Sequence, residues 1–363
     1  MNPYKVIALV IAIAVIVVVA VRLTKPPSQL AGGRPGTASS FGNGAPRNLP
    51  ADAVLAIAPG SPAITTHRPV SVLSPVMSEY ARAKSYKALY DRLRPASSRT
   101  PEEAWILAKI LQTCGAQPNR PRRDDNAAIP EEEAVTRFAA ALPARDPTRE
   151  KRIAAYRTEF VGHCRDLKDL QTTPQAIREL LAQAASAGDP KATADLVYHD
   201  LWTPLQSMTT QGKFSMSTAP WPAISSGQIE DLKRAVESGD PYALAGAGHT
   251  LAGPFTNLSL QNAQDGRPID IRSFSVAAEL LACDAGYPCG PDSPQIVAGC
   301  AYRGNCDAQT LREYQFFYAL SPESSQRVSQ YQAMLEQAVR DHDWSSFTFH
   351  PAPSPFLAPY VKP

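Results

Sequence analysis

Ala184-Ala185-Ser186-Ala187-Gly188-Asp189-Pro190 and Ala235-Val236-Glu237-Ser238-Gly239-Asp240-Pro241 are two copies of one local pattern, 51 residues apart. Small alanines permit close helix contact. Glycine takes the left-handed conformation that ends a helix. Asp before Pro then starts the next one. The carboxylate accepts a bond from an orphan N–H, and proline lacks the donor that would be unpaired there anyway. Matching continues outward, Glu179 with Glu230, Leu181 with Leu232, Ala192 with Ala243 and Ala194 with Ala245. Weaker copies are Ala282-Cys283-Asp284-Ala285-Gly286-Tyr287-Pro288 and Ala338-Val339-Arg340-Asp341-His342-Asp343-Trp344. The glycine place therefore falls at 188, 239, 286 and 342. Each unit reads as an αα-hairpin that needs neighbours to bury its face.

The same punctuation recurs along the body. Proline makes up 34 of 363 residues, about twice the ordinary ~5%. Eight prolines follow a capping residue: Ser74-Pro75, Thr100-Pro101, Asp146-Pro147, Thr173-Pro174, Asp189-Pro190, Asp240-Pro241, Ser293-Pro294 and Ser321-Pro322. Thr100-Pro101-Glu102-Glu103 adds a capping box. Apolar residues at Leu107, Ile110, Leu111 and Cys114 keep helical spacing. So do Ile153, Tyr156, Phe160 and Cys164, and later Tyr331, Leu335, Ala338 and Val339. Strand-like alternation is almost absent. The expected fold class is all-α, an irregular array of αα-hairpins behind an N-terminal transmembrane helix. About ten to twelve helices of roughly 8–20 residues are expected. Irregular connections are expected at 115–129, 202–224 and 253–270.

Over residues 174–344 the Ala…Gly-Asp-Pro…Ala pattern resembles the Sel-like and tetratricopeptide-like α-repeat proteins of bacteria. The spacing is longer and less regular than in either family. The resemblance implies a role in scaffolding or protein binding.

Six cysteines, Cys114, Cys164, Cys283, Cys289, Cys300 and Cys306, form an even set. An even set favours disulfides and an oxidising compartment. Cys283–Cys289 and Cys300–Cys306 are both C-x5-C, each crossing a glycine turn just after a helix. A bridge within each pair is expected, with crossed pairing as the alternative. Zinc is the competing reading of these four, although structural zinc takes closer spacing. Cys114 and Cys164 each end an apolar stripe, with one helix, Pro130–Leu142, between theirs. Alternate helices of an up-down array run parallel, so these two ends meet and a third bridge is expected.

The chain ends differ from this body. Val6–Val21 is an unbroken run of sixteen apolar residues, extended past Arg22 to Leu23. As a helix, residues 6–23 span roughly 27 Å, close to a hydrocarbon core of about 30 Å. An uncleaved anchor competes with a cleaved signal peptide, whose apolar stretch is shorter. Basic residues flank both sides, so charge does not orient the span and the cysteines must. Residues 26–73, punctuated by Pro26-Pro27, Gly32-Gly33 and Gly42-Asn43-Gly44, read as a disordered linker. The expected layout is an anchor at 1–25, a linker at 26–73, a disulfide-stapled helical domain at 74–349 and a Pro-rich tail at 350–363. Five of the 36 basic residues and none of the 34 acidic ones lie in residues 1–50, so the remainder carries −3. Neither part is a polybasic nucleic-acid footprint.

Catalytic signatures are missing: no G-x-S-x-G, H-E-x-x-H or G-x-x-x-x-G-K occurs. Glu131-Glu132-Glu133 follows Pro130 and reads as first-turn carboxylates facing a helix dipole. Trp202 and Trp221 flank a polar loop and are the candidate ligand-facing aromatics. No cofactor and no metal are expected. The sequence therefore points to a single-pass protein of the bacterial inner membrane, held through residues 6–23, with its bulk in the periplasm. Its expected role is a scaffold or binding protein for an unidentified envelope protein partner. The alternative is an envelope hydrolase acting on cell-wall material.

Overall fold

A computed structural model describes residues 73–115, 130–164, 166–167, 170–210, 222–253 and 257–351. All of them belong to the unit Thr65–Pro363. The apolar run at 6–23, the linker up to residue 72 and the tail beyond 351 lie outside the described residues. Among the described residues, no helix is long and apolar enough to cross a membrane.

The described chain is mostly helical, as expected. The N-terminal helices are α1 (Pro75–Arg82), α2 (Lys87–Leu93), α3 (Pro101–Gly115), α4 (Glu131–Ala141) and α5 (Arg149–Val161). A 3-10 turn, Gly162–Cys164, follows α5. The central helices are α6 (Pro174–Ser186), α7 (Pro190–Thr210), α8 (Ser226–Glu237) and α9 (Pro241–Leu251). Strand β1 (Leu258–Asn262) precedes α10 (Ile271–Asp284), α11 (Pro294–Arg303) and α12 (Leu311–Tyr314). A π turn, Gln315–Ala319, then leads to α13 (Pro322–Asp341) and β2 (Phe347–Pro351).

Seven of the eight cap–proline pairs open a helix with proline as its first residue. Thr173 accepts from Ala176 N at 3.1 Å, and Asp240 accepts from Tyr242 N and Ala243 N at 2.9 Å. Thr100 and Glu103 form the expected capping box. The exception is Asp146-Pro147, where the carboxylate caps Thr148 instead and α5 begins at Arg149. The four glycine places all have positive φ: Gly188 at 88°, Gly239 at 67°, Gly286 at 107° and His342 at 52°. Glu131, Glu132 and Glu133 occupy the first turn of α4, as read.

Short turns fold α6 back on α7 and α8 back on α9, and α7 packs on α9. Packing then passes from α9 to α10 and from α10 to α13. Gly248 of α9 makes the α9–α10 approach possible, because a Cβ there would lie 2.2 Å from the Ala278 methyl. One core gathers Leu89, Trp105, Ile106, Ile110, Leu181 and their neighbours. A second gathers Leu232, Leu244, Leu251, Phe274, Leu280 and Leu335. The α4–α5 pair packs on α11, where Arg152 Nε donates to the Ala301 carbonyl at 2.9 Å.

Three expectations are corrected. Residues 202–210 are helix rather than loop, with Pro204 inside α7. Proline removes one backbone bond there, but Leu201 and Leu205 on either side are buried and hold the helix. Residues 258–262 are a strand rather than part of an irregular connection. β1 pairs antiparallel with β2, Leu258 opposite Pro351 and Leu260 opposite Phe349. His350 and Pro351 therefore belong to the body and not to the tail.

Candidate functional site

The repeat register builds one face from two helices. Shifted by 51 residues, Lys191, Asp195 and Tyr198 of α7 correspond to Tyr242, Gly246 and His249 of α9. The spacing i, i+4, i+7 puts each set on one side of its helix. Trp202 continues the α7 row and stacks on Tyr198, with ring centroids 6.2 Å apart. Tyr198 lies 6.0 Å from His249. Gly246 lies against the Asp195 carboxylate, where a Cβ would be in ordinary contact with Oδ1 at 3.6 Å.

Two lysines are held inside this face. Lys191 is buried, with Nζ 3.2 Å from Asp189, 3.4 Å from Asp240 and 3.5 Å from Glu102. Both repeat-cap aspartates thus close on one ammonium group. Burial would depress the Lys191 pKa, but the charges of Asp240, Asp189 and Glu102 reverse this and hold it above the ordinary value. Lys109 lies 3.1 Å from Asp195 Oδ2, the oxygen that accepts from Trp105 Nε1 at 2.7 Å.

Around Trp105 the rings form a connected series. Tyr80 is stacked on Tyr86 at 5.1 Å and meets Trp105 edge-on at 5.8 Å. Tyr242 meets Trp105 at 5.5 Å and Tyr287 at 4.9 Å. Burial raises the phenol pKa of Tyr80 and Tyr242 and pushes Tyr287 up to about 12. The Tyr242 hydroxyl is buried with no hydrogen-bond partner among the described residues.

Beyond Tyr287 lies Glu279 of α10. Burial pushes its carboxyl up to about 7, and a hydrogen bond from Gln295 of α11 opposes this. No cation pairs with it among the described residues. The charges of Glu279 and Asp195 both contribute to the raised Tyr287 pKa, after burial itself. The Cys283–Cys289 bridge, with Cα atoms 5.7 Å apart, folds this loop back on α10 one turn after Glu279. Tyr287 N then donates to the Ala282 carbonyl at 2.9 Å. His249 is exposed, yet desolvation by surrounding protein lowers its pKa.

The structure places the other expected residues as follows. All six cysteines are bridged, Cys114–Cys164, Cys283–Cys289 and Cys300–Cys306, so the zinc reading and crossed pairing both fall. The Cys114–Cys164 Cα atoms are 5.3 Å apart. Gly188, Asp189, Gly239 and Asp240 sit at the two repeat turns, and the aspartates also reach the Lys191 network. Trp202 joins the face, while Trp221 lies outside the described residues. His199 is buried beside Thr203, and burial lowers its pKa. Tyr80, Tyr86, Trp105, Tyr242, Glu279 and Tyr287 were not read from sequence. Laying the repeats in register would have found Tyr242, opposite Lys191. Nothing local marks Trp105 or Glu279.

The face combines flat aromatic rings, which bind by stacking and by attraction to cations, with fixed carboxylates that accept hydrogen bonds. Comparison with family models, with curated proteins and with solved structures finds no match for this chain.

Proposed function

We propose that the chain is a single-pass inner-membrane protein whose periplasmic body is a repeat-like scaffold of αα-hairpins. Its aromatic face holds a segment of an envelope protein. The observation that carries this reading is the aligned row on successive repeat helices, Lys191-Asp195-Tyr198-Trp202 beside Tyr242-Gly246-His249. Lys191 and Asp195 brace the row from inside, while the half-buried Tyr198 and Trp202 and the exposed His249 offer a partner rings on two successive repeat helices, as α-repeat scaffolds do. The Sel-like and tetratricopeptide-like resemblance agrees with this role. Three bridged cysteine pairs support an oxidising compartment. The apolar run at 6–23 supplies the anchor, and the linker sets the reach.

Two measurements test this. A periplasm-dependent reporter fused after residue 60 should be active, and a cytoplasm-only signal would overturn the topology. A photo-crosslinker replacing Tyr198 or His249 should give a discrete adduct in intact envelopes. The same group at Glu230, exposed on α8, should not. Equal labelling from all three positions would overturn the binding face.

The hydrolase reading draws support from Glu279, which is partly protonated near neutral pH and able to act as an acid. Asp195 does not complete the pair, because Lys109 and Trp105 already occupy its Oδ2. Release of soluble fragments from purified cell-wall material, lost in Glu279→Gln, would favour hydrolysis over binding.

A further inference from the structure

The α4–α5 hairpin is fastened to α11 through a short stretch of chain. Its apolar contacts form a small core of their own, in which Ala134, Val135 and Tyr156 gather around Ala301. Phe138 stacks on Tyr156 at 4.0 Å, and both rings meet Tyr302 edge-on at 6.1 Å. Arg152 supplies polar contacts. Its Nε donates to the Ala301 carbonyl at 2.9 Å and its Nη2 to the Tyr302 carbonyl at 3.3 Å. Asp146, 2.6 Å from Nη1, fixes the guanidinium from the hairpin side. Lys151 lies 2.8 Å from Asp307, and Gly304 passes beside Thr148, where a Cβ would lie 3.4 Å from Oγ1. These partners all fall at residues 301–307. The Cys300–Cys306 bridge closes that stretch into a ring, with Asp307 just beyond it. Cys306 is half-buried, whereas Cys114 and Cys164, which tie the far end of α5 to α3, are both buried.

We propose that the Cys300–Cys306 bridge is a redox-sensitive latch for the α4–α5 hairpin. With the bridge closed, the Ala301 and Tyr302 carbonyls and the Tyr302 ring hold fixed positions, and the hairpin docks on them. The reductant is a dithiol oxidoreductase. One of its thiolates attacks Cys306 Sγ, the S–S bond breaks, and Cys300 leaves as a thiolate that takes up a proton. The second thiolate of the donor then attacks the mixed disulfide and releases Cys306, which is protonated in turn. The bridge gains two electrons and two protons, and the donor becomes a disulfide. Exchange of this kind reaches an accessible bridge before a buried one. Opening the ring returns conformational freedom to residues 301–307, so the partners of Arg152 and Tyr156 are no longer held together. A segment with few buried apolar contacts then opens at low cost. The hairpin moves as one piece, because Arg157 of α5 pairs with Glu132 of α4 at 3.2 Å and Phe138 stays stacked on Tyr156. The Cys114–Cys164 bridge, left intact, is its hinge. The latch uses none of the residues of the binding row and does not rest on that reading.

The test uses the purified full chain, its three bridges intact, in glutathione buffers of increasing reducing power. Alkylation mapping reads which pair is open, and amide hydrogen exchange reads the helices. Cys300 and Cys306 should become alkylatable while Cys114 and Cys164 stay bridged. At that point exchange in α4 and α5 should quicken at least about tenfold, the mark of local opening, while α6 and α9 keep their protection. Oxidised glutathione should restore α4 and α5. Cys283–Cys289 has the same spacing, and Cys283→Ser/Cys289→Ser removes it from the comparison; α4 and α5 of that chain should stay protected until reductant arrives. Cys300→Ser/Cys306→Ser should exchange fast in α4 and α5 with no reductant present. Unchanged protection of α4 and α5 in the wild type, once Cys300 and Cys306 are alkylatable, overturns the latch. So does an equal loss in α6 and α9, because the bridge is then a staple of the whole fold. Opening of Cys114–Cys164 at or before Cys300–Cys306 overturns it as well. The wild-type titration decides the question even if the double variants do not fold.

Discussion

At the scale of the residue, the turn positions carry most of the information. Gly188, Gly239 and Gly286 adopt a backbone that ordinary residues avoid, and His342 occupies the fourth place with φ of 52°. The three glycines were legible because a left-handed turn favours that residue type, and His342 was legible only through its place in the repeat register. Asp240 illustrates how a legible residue acquires a second, illegible role. Its Oδ1 caps α9, which the Asp-Pro pair announces, while its Oδ2 lies 3.4 Å from Lys191 of the preceding repeat. That contact depends on how α7 and α9 pack, and no local pattern encodes it. Asp240→Ala should cost about 1–2 kcal/mol from the lost cap. Asp240→Ser keeps a capping oxygen and loses the charge. Urea unfolding of the two variants should show Ser recovering most of the loss, and equal destabilisation would mean that the Lys191 pair dominates.

Among the elements, the bridges and the strands are opposite cases. Cys283–Cys289 and Cys300–Cys306 were readable because each pair spans one turn past a helix end. Cys114–Cys164 was readable through helix direction, although 50 residues separate the two cysteines. The strands were not readable in this way. β1 is five residues long and its partner lies beyond α13. Strand pairing is a property of two segments, and neither Leu258–Asn262 nor Phe347–Pro351 is marked as a strand by itself. Pro204 misled in the other direction, because packing of Leu201 and Leu205 outweighs a local breaker. In the chain-entropy model, closing the longer loop stabilises by about 4 kcal/mol and closing a six-residue one by about 2. The double variant Cys114→Ser/Cys164→Ser should therefore lower stability about twice as far as Cys300→Ser/Cys306→Ser. Denaturant melts of the two double variants check the ordering, and a larger loss from the short loop would contradict it.

For the whole molecule, the last strand returns the chain end to its middle. Phe347 of β2 is 5% exposed and meets the fully buried Phe274 of α10 edge-on at 5.6 Å. Trp344, just before β2, donates from Nε1 to Glu237 Oε1 at the end of α8 at 2.7 Å. The end of the described chain thus touches α8, α10 and β1 together. α10 also carries Glu279 and Cys283, so the helix that starts the Cys283–Cys289 loop is the one the chain end covers. The sequence showed the helices that build the face. It did not show this closure, which joins segments more than eighty residues apart. Phe347→Ala should leave a cavity beside Phe274 and cost about 3–5 kcal/mol. Its effect should not stay local. Amide hydrogen exchange should quicken in β1 and along α10 together, while α3 and α6, which belong to the other core, keep their protection. Faster exchange confined to β1 and β2 would show that the strand pair is an ornament on the fold rather than the clasp that holds α10 in place.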